Sequence, residues 1–198
     1  MTLTPVPGDH VATIVTSLEM TQRPAARPLP PSPYMLKRWH TPASDRYRTL
    51  FIRVGAPWLW FSRLVMPEAQ LRAILDDPQV EVYAMIDRSG VELGMLELDF
   101  RKSGECELSY LAVVPDLTGQ GHGSWLMANA LGLGWRRAVT RMWVHTCTLD
   151  HPRALGFYIR HGFVPFERSV ETFADPRITG HLPPDAAPHI PRFDPARR

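Results

Sequence analysis

Cysteine is nearly missing from this chain of 198 residues, which holds only Cys106 and Cys147. Two cysteines cannot form the framework that holds a small secreted protein together, so a reducing compartment, the cytoplasm, is the expectation. Long apolar runs are lacking as well. No window approaches the roughly 20 apolar residues that span a bilayer, and no basic start followed by an apolar stretch opens the chain, so no membrane segment is expected. Nor is there a block of lysine and arginine. The basic residues are scattered (Arg136, Arg137, Arg141, Arg153, Arg160) and the formal net charge is only +2, so the electrostatic footprint of nucleic-acid binding is absent. What remains is ordinary for a globular protein: 44% apolar and 21% charged residues. The length suits a single domain over residues 1–198 with a buried core.

His10 to Met20 is rich in β-branched residues and reads as a strand. Five prolines between Arg23 and Pro33 exclude helix there, so residues 1–35 read as a strand followed by an extended arm. Tyr47, Leu50, Phe51 and Val54 recur at helical spacing, with Ser44 or Thr41 available as N-cap, and predict a helix over Ser44 to Val54. Met66 to Leu75 carries Pro67 and Glu68 at a helix start. Gln79 to Ile86, Val91 to Phe100 and Glu105 to Val114 have strand composition, separated by turn-forming Asp87–Gly90 and Lys102–Gly104, and predict an antiparallel meander. A helix through Trp125, Leu126, Ala130, Leu133 and Trp135 follows, then a strand from Arg141 to Thr148. Pro152 to His161 reads as a helix stopped by Gly162, Phe163 to Phe173 as a last strand, and 174–198 as an irregular, proline-rich tail. This order implies an α/β (α+β) fold with a mixed, mostly antiparallel sheet flanked by helices.

Between a strand and a helix lies Leu117-Thr118-Gly119-Gln120-Gly121-His122-Gly123-Ser124. Three alternate glycines let backbone N–H groups converge on one point, and the helix N-terminus adds positive potential, an arrangement suited to a pyrophosphate. A triphosphatase loop would require a lysine after the glycines, and none follows. A dinucleotide fingerprint would require a third glycine where Ser124 or Leu126 stands. A glycine turn without a ligand is the remaining alternative.

These residues resemble the GNAT acyltransferases. Their turn has the form [RQ]-x-x-G-x-[GA]; in Thr118-Gly119-Gln120-Gly121-His122-Gly123 both of its glycines are matched, by Gly121 and Gly123, while Thr118 stands where the family has Arg or Gln. The family's second signature, Asn-x-x-Ala leading to Tyr and then Gly-Phe, is matched at Ala154, Tyr158, Gly162 and Phe163, with His151 in place of the Asn. The resemblance covers roughly Val80 to Phe173. It implies a sheet splayed between the strands at 105–114 and 141–148, an acetyl-CoA donor, and transfer of the acetyl group to an amine. By the same resemblance, backbone groups of Leu111, Ala112 and Val113 hold the pantetheine arm, and amides of Thr118, Gly119, Gln120, Gly121, His122, Gly123 and Ser124 hold the pyrophosphate. His151 and Ala154 lie beside the cofactor, and Tyr158 lies near its sulfur.

Direct transfer requires removal of a proton from an ammonium group and supply of one to a leaving thiolate. Tyr158, a neutral phenol at pH 7, suits the second task; the alternative is a tyrosine that only packs its helix against the sheet. Glu107 is the candidate base, since strict alternation puts it on one face with Ser109, Leu111 and Val113; a solvated strand carboxylate is the alternative. His145, Cys147 and His151 form H-x-C-x-x-x-H, but without a fourth ligand no metal is expected. His151 suits a cofactor contact or a part in proton transfer. Trp58, Trp60 and Phe61 are candidates to line an acceptor pocket or to serve as core. The acceptor is expected to be a small-molecule or peptide amine, and a homodimer is implied by the resemblance and by base rate. A module that binds acyl-CoA without catalysis is the competing reading, motivated by Thr118 and His151. A ligand-free interaction domain is the third.

Overall fold

The computed structural model describes residues 3–25, 28–136 and 138–193. Ala26 and Arg27 of the proline-rich arm, Arg137, and residues 194–198 of the expected tail lie outside them. Among the described residues seven strands and five α-helices follow in the order β1 (His10–Met20), β2 (Met35–Trp39), α1 (Ser44–Gly55), α2 (Ser62–Val65), α3 (Glu68–Leu75), β3 (Val80–Ile86), β4 (Glu92–Asp99) and β5 (Glu105–Val113). Then come α4 (His122–Gly134), β6 (Arg141–Cys147), α5 (Ala154–Arg160) and β7 (Val164–Ala174). One sheet holds all the strands in the order β2-β3-β4-β5-β6-β1-β7. Every neighbouring pair is antiparallel except β5 and β6, which run parallel. Among the described residues no helix is long and apolar enough to cross a membrane.

The sheet is sandwiched between two apolar layers. On one side Leu18, Leu96, Leu98, Leu108, Met142 and Val144 pack against Leu126, Met127 and Ala130 of α4 and Tyr158 of α5. On the other, Val82, Ala84 and Met95 pack against Tyr47, Leu50, Phe51 and Val54 of α1 and Leu71 and Leu75 of α3. Tyr47, Leu50, Phe51 and Val54 are therefore the buried stripe that their helical spacing predicts. Ser44 is the first helical residue and does not act as a cap; Ala43 holds that position, and the Ser44 hydroxyl donates to Glu68 Oε1 (2.5 Å), tying α1 to α3.

The feature that creates the site is the incomplete pairing of β5 and β6. They are in register only at Glu105↔Arg141, Cys106↔Met142 and Glu107↔Trp143, then separate. Two causes are visible. The base is pinned, because Thr140 N and Arg141 N both donate to Gly104 O (2.8 and 3.2 Å), while the Arg141 guanidinium bridges Glu19 and Glu105 (2.6 and 2.9 Å). Beyond the base, Leu98 pairs with Leu108 but Glu97 pairs with Tyr110, so Ser109 is an extra residue. Such a bulge bends its strand and increases its twist, carrying the upper half of β5 away from β6.

The bulge overturns the strict alternation expected along β5. Leu108, Leu111 and Val113 pack on the α4 side, whereas Tyr110 and Ala112 pack on the α1 side. Glu107, between Cys106 and Leu108 and opposite Asp99, therefore shares its face with Tyr110, not with Leu111 and Val113. The irregular tail is also more ordered than its composition suggests. Asp175 and Arg177 form a buried ion pair (2.7 Å), and Arg177 Nη1 donates to the carbonyls of Ala186, Ala187 and Ile190. This staple holds Leu182 and Ala187 against Val11 and Leu59.

Candidate active site

A cavity of about 470 Å³ opens where β5 and β6 part, a volume within the usual range for small-molecule sites. Its walls gather most of the residues singled out in the sequence. Leu111, Ala112 and Val113 come from β5, and Thr118, Gly119, Gly121, Gly123 and Ser124 from the turn before α4. His151, Ala154 and Tyr158 come from α5 and the loop before it. Gln120, His122 and Glu107 are not among the wall residues: the Gln120 amide donates to Asp116 O (2.6 Å), and the His122 ring packs edge-on against Tyr34.

The turn has the geometry its glycines suggest. Gly119 and Gly121 have φ of +81° and +89°, a region costly for residues with a Cβ. A Cβ at Gly121 would meet nothing within 4 Å, so the space in front of the N-terminus of the 13-residue helix α4 is open. Amides at the start of such a helix lack intrahelical partners and attract anions. A Cβ at Gly119 would lie 3.2 Å from Nη2 of Arg153, which puts a guanidinium over the turn. Arg153 and Arg160 both line the cavity, and sequence reasoning passed over both. Arg153 lies inside the second signature, at a position the signature leaves free.

Tyr158 is the one buried side chain of α5, and among the described residues its hydroxyl makes no hydrogen bond. Burial, with a smaller contribution from Asp150, raises its pKa well above the usual phenol range, so it keeps its proton at neutral pH. Asp150 was also missed, its only sequence signal being its place just before His151. It accepts from Trp60 Nε1 (3.0 Å), Thr146 Oγ1 (2.7 Å) and the Cys147 amide (2.9 Å). The Trp60 contact ties the loop after α1 to the end of β6, across the open side of the sheet.

Glu107 lies at the base of the split, in the last pair of β5 with β6 and one residue before the wall residue Leu108. Burial, then the charges of Asp99 and Glu97, push its pKa up to about 7, against the opposing pull of Arg63 and Arg101. Those two acids are already engaged: Glu97 is fully buried and accepts from Arg63 Nη2 (2.6 Å) and Tyr47 Oη (2.5 Å), and Asp99 pairs with Arg101. Among the described residues Glu107 has one ion-pair contact, His145, whose Nδ1 is 4.0 Å from Oε1, so of these three acids it is the one free to exchange a proton. His145 itself lines the cavity.

His151 serves α5 first. Its Nδ1 accepts from the Arg153 amide (3.1 Å), and burial together with Arg153 lowers its pKa, so the ring is neutral at pH 7 with its proton assigned to Nε2. In that state Nε2 offers the cavity a hydrogen-bond donor, not a base. Among the described residues no three His, Cys, Asp or Glu side chains are placed to hold a metal ion. Trp58 packs edge-on against His151, Phe61 tilts over Phe173 at 4.4 Å, and Trp60 lies 5.1 Å from Tyr110. All five aromatic residues line the cavity.

Comparison with known proteins adds to this geometry. The model of the acetyltransferase (GNAT) family matches residues 26–163. No curated protein matches the chain. Among solved structures, a GCN5-related N-acetyltransferase from Sphaerobacter thermophilus superposes with a TM-score of 0.58 at 19% identity, over 82% of this chain and 51% of its own. The chain thus spans about half the length of that protein. An aminoglycoside acetyltransferase from an uncultured soil metagenomic sample gives a TM-score of 0.53 at 16% identity, over 66% of this chain and 88% of its own. An IAA acetyltransferase from Bacillus cereus gives 0.52 at 18%, over 68% and 79%. At such identities the likeness is one of fold.

Proposed function

Because the chain belongs to the acetyltransferase (GNAT) family, we propose that it transfers the acetyl group of acetyl-CoA to a primary amine by direct attack of nitrogen on the thioester. The observation that carries this reading is the cavity at the split of β5 and β6, which joins an anion-accepting glycine turn to a buried phenol, with the raised carboxyl of Glu107 one residue before the wall residue Leu108.

The donor's pyrophosphate lies against the amides from Thr118 to Ser124, with Arg153 above Gly119 as an added cation. The pantetheine arm runs along Leu111, Ala112 and Val113, where β5 has left β6 and its outward backbone groups need partners. The amine enters from the side of Trp60 and Tyr110 as an ammonium ion and gives one proton to Glu107. Its nitrogen then attacks the carbonyl carbon; a C–N bond forms, the C–S bond breaks, and Tyr158 gives its proton to the departing sulfur. The second proton lost by nitrogen restores Tyr158. The balance is ammonium and thioester to amide, thiol and one proton. His151 supports the carbonyl side as a neutral donor, and Ala154 leaves room for the arm beside α5.

The chain is one catalytic domain in this reading, supported by the single sheet that the strands between residues 10 and 174 share among the described residues. A homodimer belongs to it as well, supported by the outer edge of β7, where Val164 and Val170 are 64% and 66% exposed. Two free thiols support the cytoplasm as its place. A module that binds acyl-CoA without turnover would have no use for the phenol and the raised carboxylate. The test is mass spectrometry of amines incubated with acetyl-CoA and enzyme. A gain of one acetyl group matched by free thiol supports the proposal; bound acetyl-CoA without acetylated amine favours the non-catalytic module.

A further inference from the structure

The charged residues of the cavity wall have different neighbours, and these bear on the acceptor. The cationic wall residues, Arg153 and Arg160, stand just before α5 and at its last position, with Arg153 over the glycine turn. The acidic ones, Asp150 and Glu171, are on the side of the rings: Asp150 is bonded to Trp60, and Glu171 shares a face of β7 with Phe173 two residues on. Among the described residues neither carboxylate has a salt-bridge partner, and the three donors on Asp150 are all neutral groups. Two pairs of rings stand there, Trp60 with Tyr110 and Phe61 with Phe173.

Resting on the acetyl-transfer reading above, we infer that the acceptor is an arylalkylamine: a small primary amine with an aromatic body and no carboxylate. Its ammonium is drawn to uncompensated negative charge and to ring faces. Its body replaces water on Trp60, Phe61 and Phe173, burial that is favourable for a ring and unfavourable for hydroxyl groups left without partners. An amino acid would bring its carboxylate toward Asp150 and Glu171, where like charges repel. A polyhydroxylated amine would lose hydrogen bonds to water and find aromatic carbon in their place.

Three probes separate these features: phenethylamine, phenylalanine, which adds a carboxylate, and ethanolamine, which lacks the ring. Steady-state kcat/KM at saturating acetyl-CoA is expected to favour phenethylamine at least about tenfold over each of the others. Phe61→Ser should lower kcat/KM for phenethylamine about tenfold and for ethanolamine by no more than about twofold. Glu171→Gln, a change at an exposed position that leaves packing intact, should narrow the preference for phenethylamine over phenylalanine about threefold. Calorimetric titration with acetyl-CoA is run on the same preparations. If acetyl-CoA binds and phenylalanine or ethanolamine is used as well as phenethylamine, or phenethylamine is not used at all, the inference is overturned while the donor site stands. If acetyl-CoA does not bind, the acetyl-transfer reading fails and the inference falls with it.

Discussion

Replacing Glu107 by Gln should separate activity from stability. The carboxyl is raised from 4.5 to about 7 chiefly by burial, a change that corresponds to about 3 kcal/mol between its two protonation states. With 27% of the side chain open to solvent, about 1–3 kcal/mol of this is expected to appear in stability. The sign follows from proton uptake. Between pH 4.5 and 7 the folded chain holds the Glu107 proton more often than the unfolded chain does. This group's contribution is thus full below pH 4.5 and is lost as pH rises through 7. Glu107→Gln has no such loss, so urea midpoints at pH 8 should exceed the parent's and converge with them near pH 4.5. Activity should go the other way. In the parent, kcat/KM rises with pH to a plateau above about 7, where Glu107 is ionised and able to accept a proton. In the variant that limb disappears and turnover at pH 8 falls about a hundredfold. The same rising limb in both proteins, or a stability difference that does not change between pH 4.5 and 8, would refute the reasoning.

Gly121→Val places a branched side chain at a φ of +89° in the open space before α4; acetyl-CoA binding should be lost in calorimetry while the far-ultraviolet circular dichroism stays that of the parent. Tyr158→Phe should reduce turnover about tenfold or more with little change in acetyl-CoA affinity, because a buried phenol that keeps its proton acts at the departing sulfur and not in donor binding. Arg63→Met leaves the fully buried Glu97 carboxylate with Tyr47 alone; thermal or urea unfolding should show a loss of about 3–5 kcal/mol. Because Arg63 also pulls the Glu107 pKa down, the rising limb of kcat/KM in that variant should move to higher pH.

The parts of this fold with long periodic patterns were legible in the sequence. The helix through Tyr47, Leu50, Phe51 and Val54, the meander of β3 to β5 and the strand–turn–helix around Gly121 all follow from spacing and turn chemistry. β2 escaped because Met35–Trp39 is a five-residue edge strand with three exposed residues, right after a proline-rich arm. α2 escaped because four residues carry no periodicity. The bulge at Ser109 could not be read, since it arises from pairing with β4, and it puts Glu107 on a face with Tyr110 where strict alternation puts it with Leu111 and Val113. Asp150 and Arg153 were passed over for a related reason. Each matters through a partner distant in sequence, Trp60 for Asp150 and Gly119 for Arg153. The order of the tail rests on one buried ion pair, Asp175 with Arg177, which composition alone does not reveal.

Calorimetric titration of the purified protein with acetyl-CoA, followed in the same samples by release of free thiol on addition of amine, tests the central claim most directly. The account predicts one donor site per chain, lost in Gly121→Val, and thiol release that depends on amine. Absence of acetyl-CoA binding to the parent protein, or undiminished binding to Gly121→Val, would contradict it.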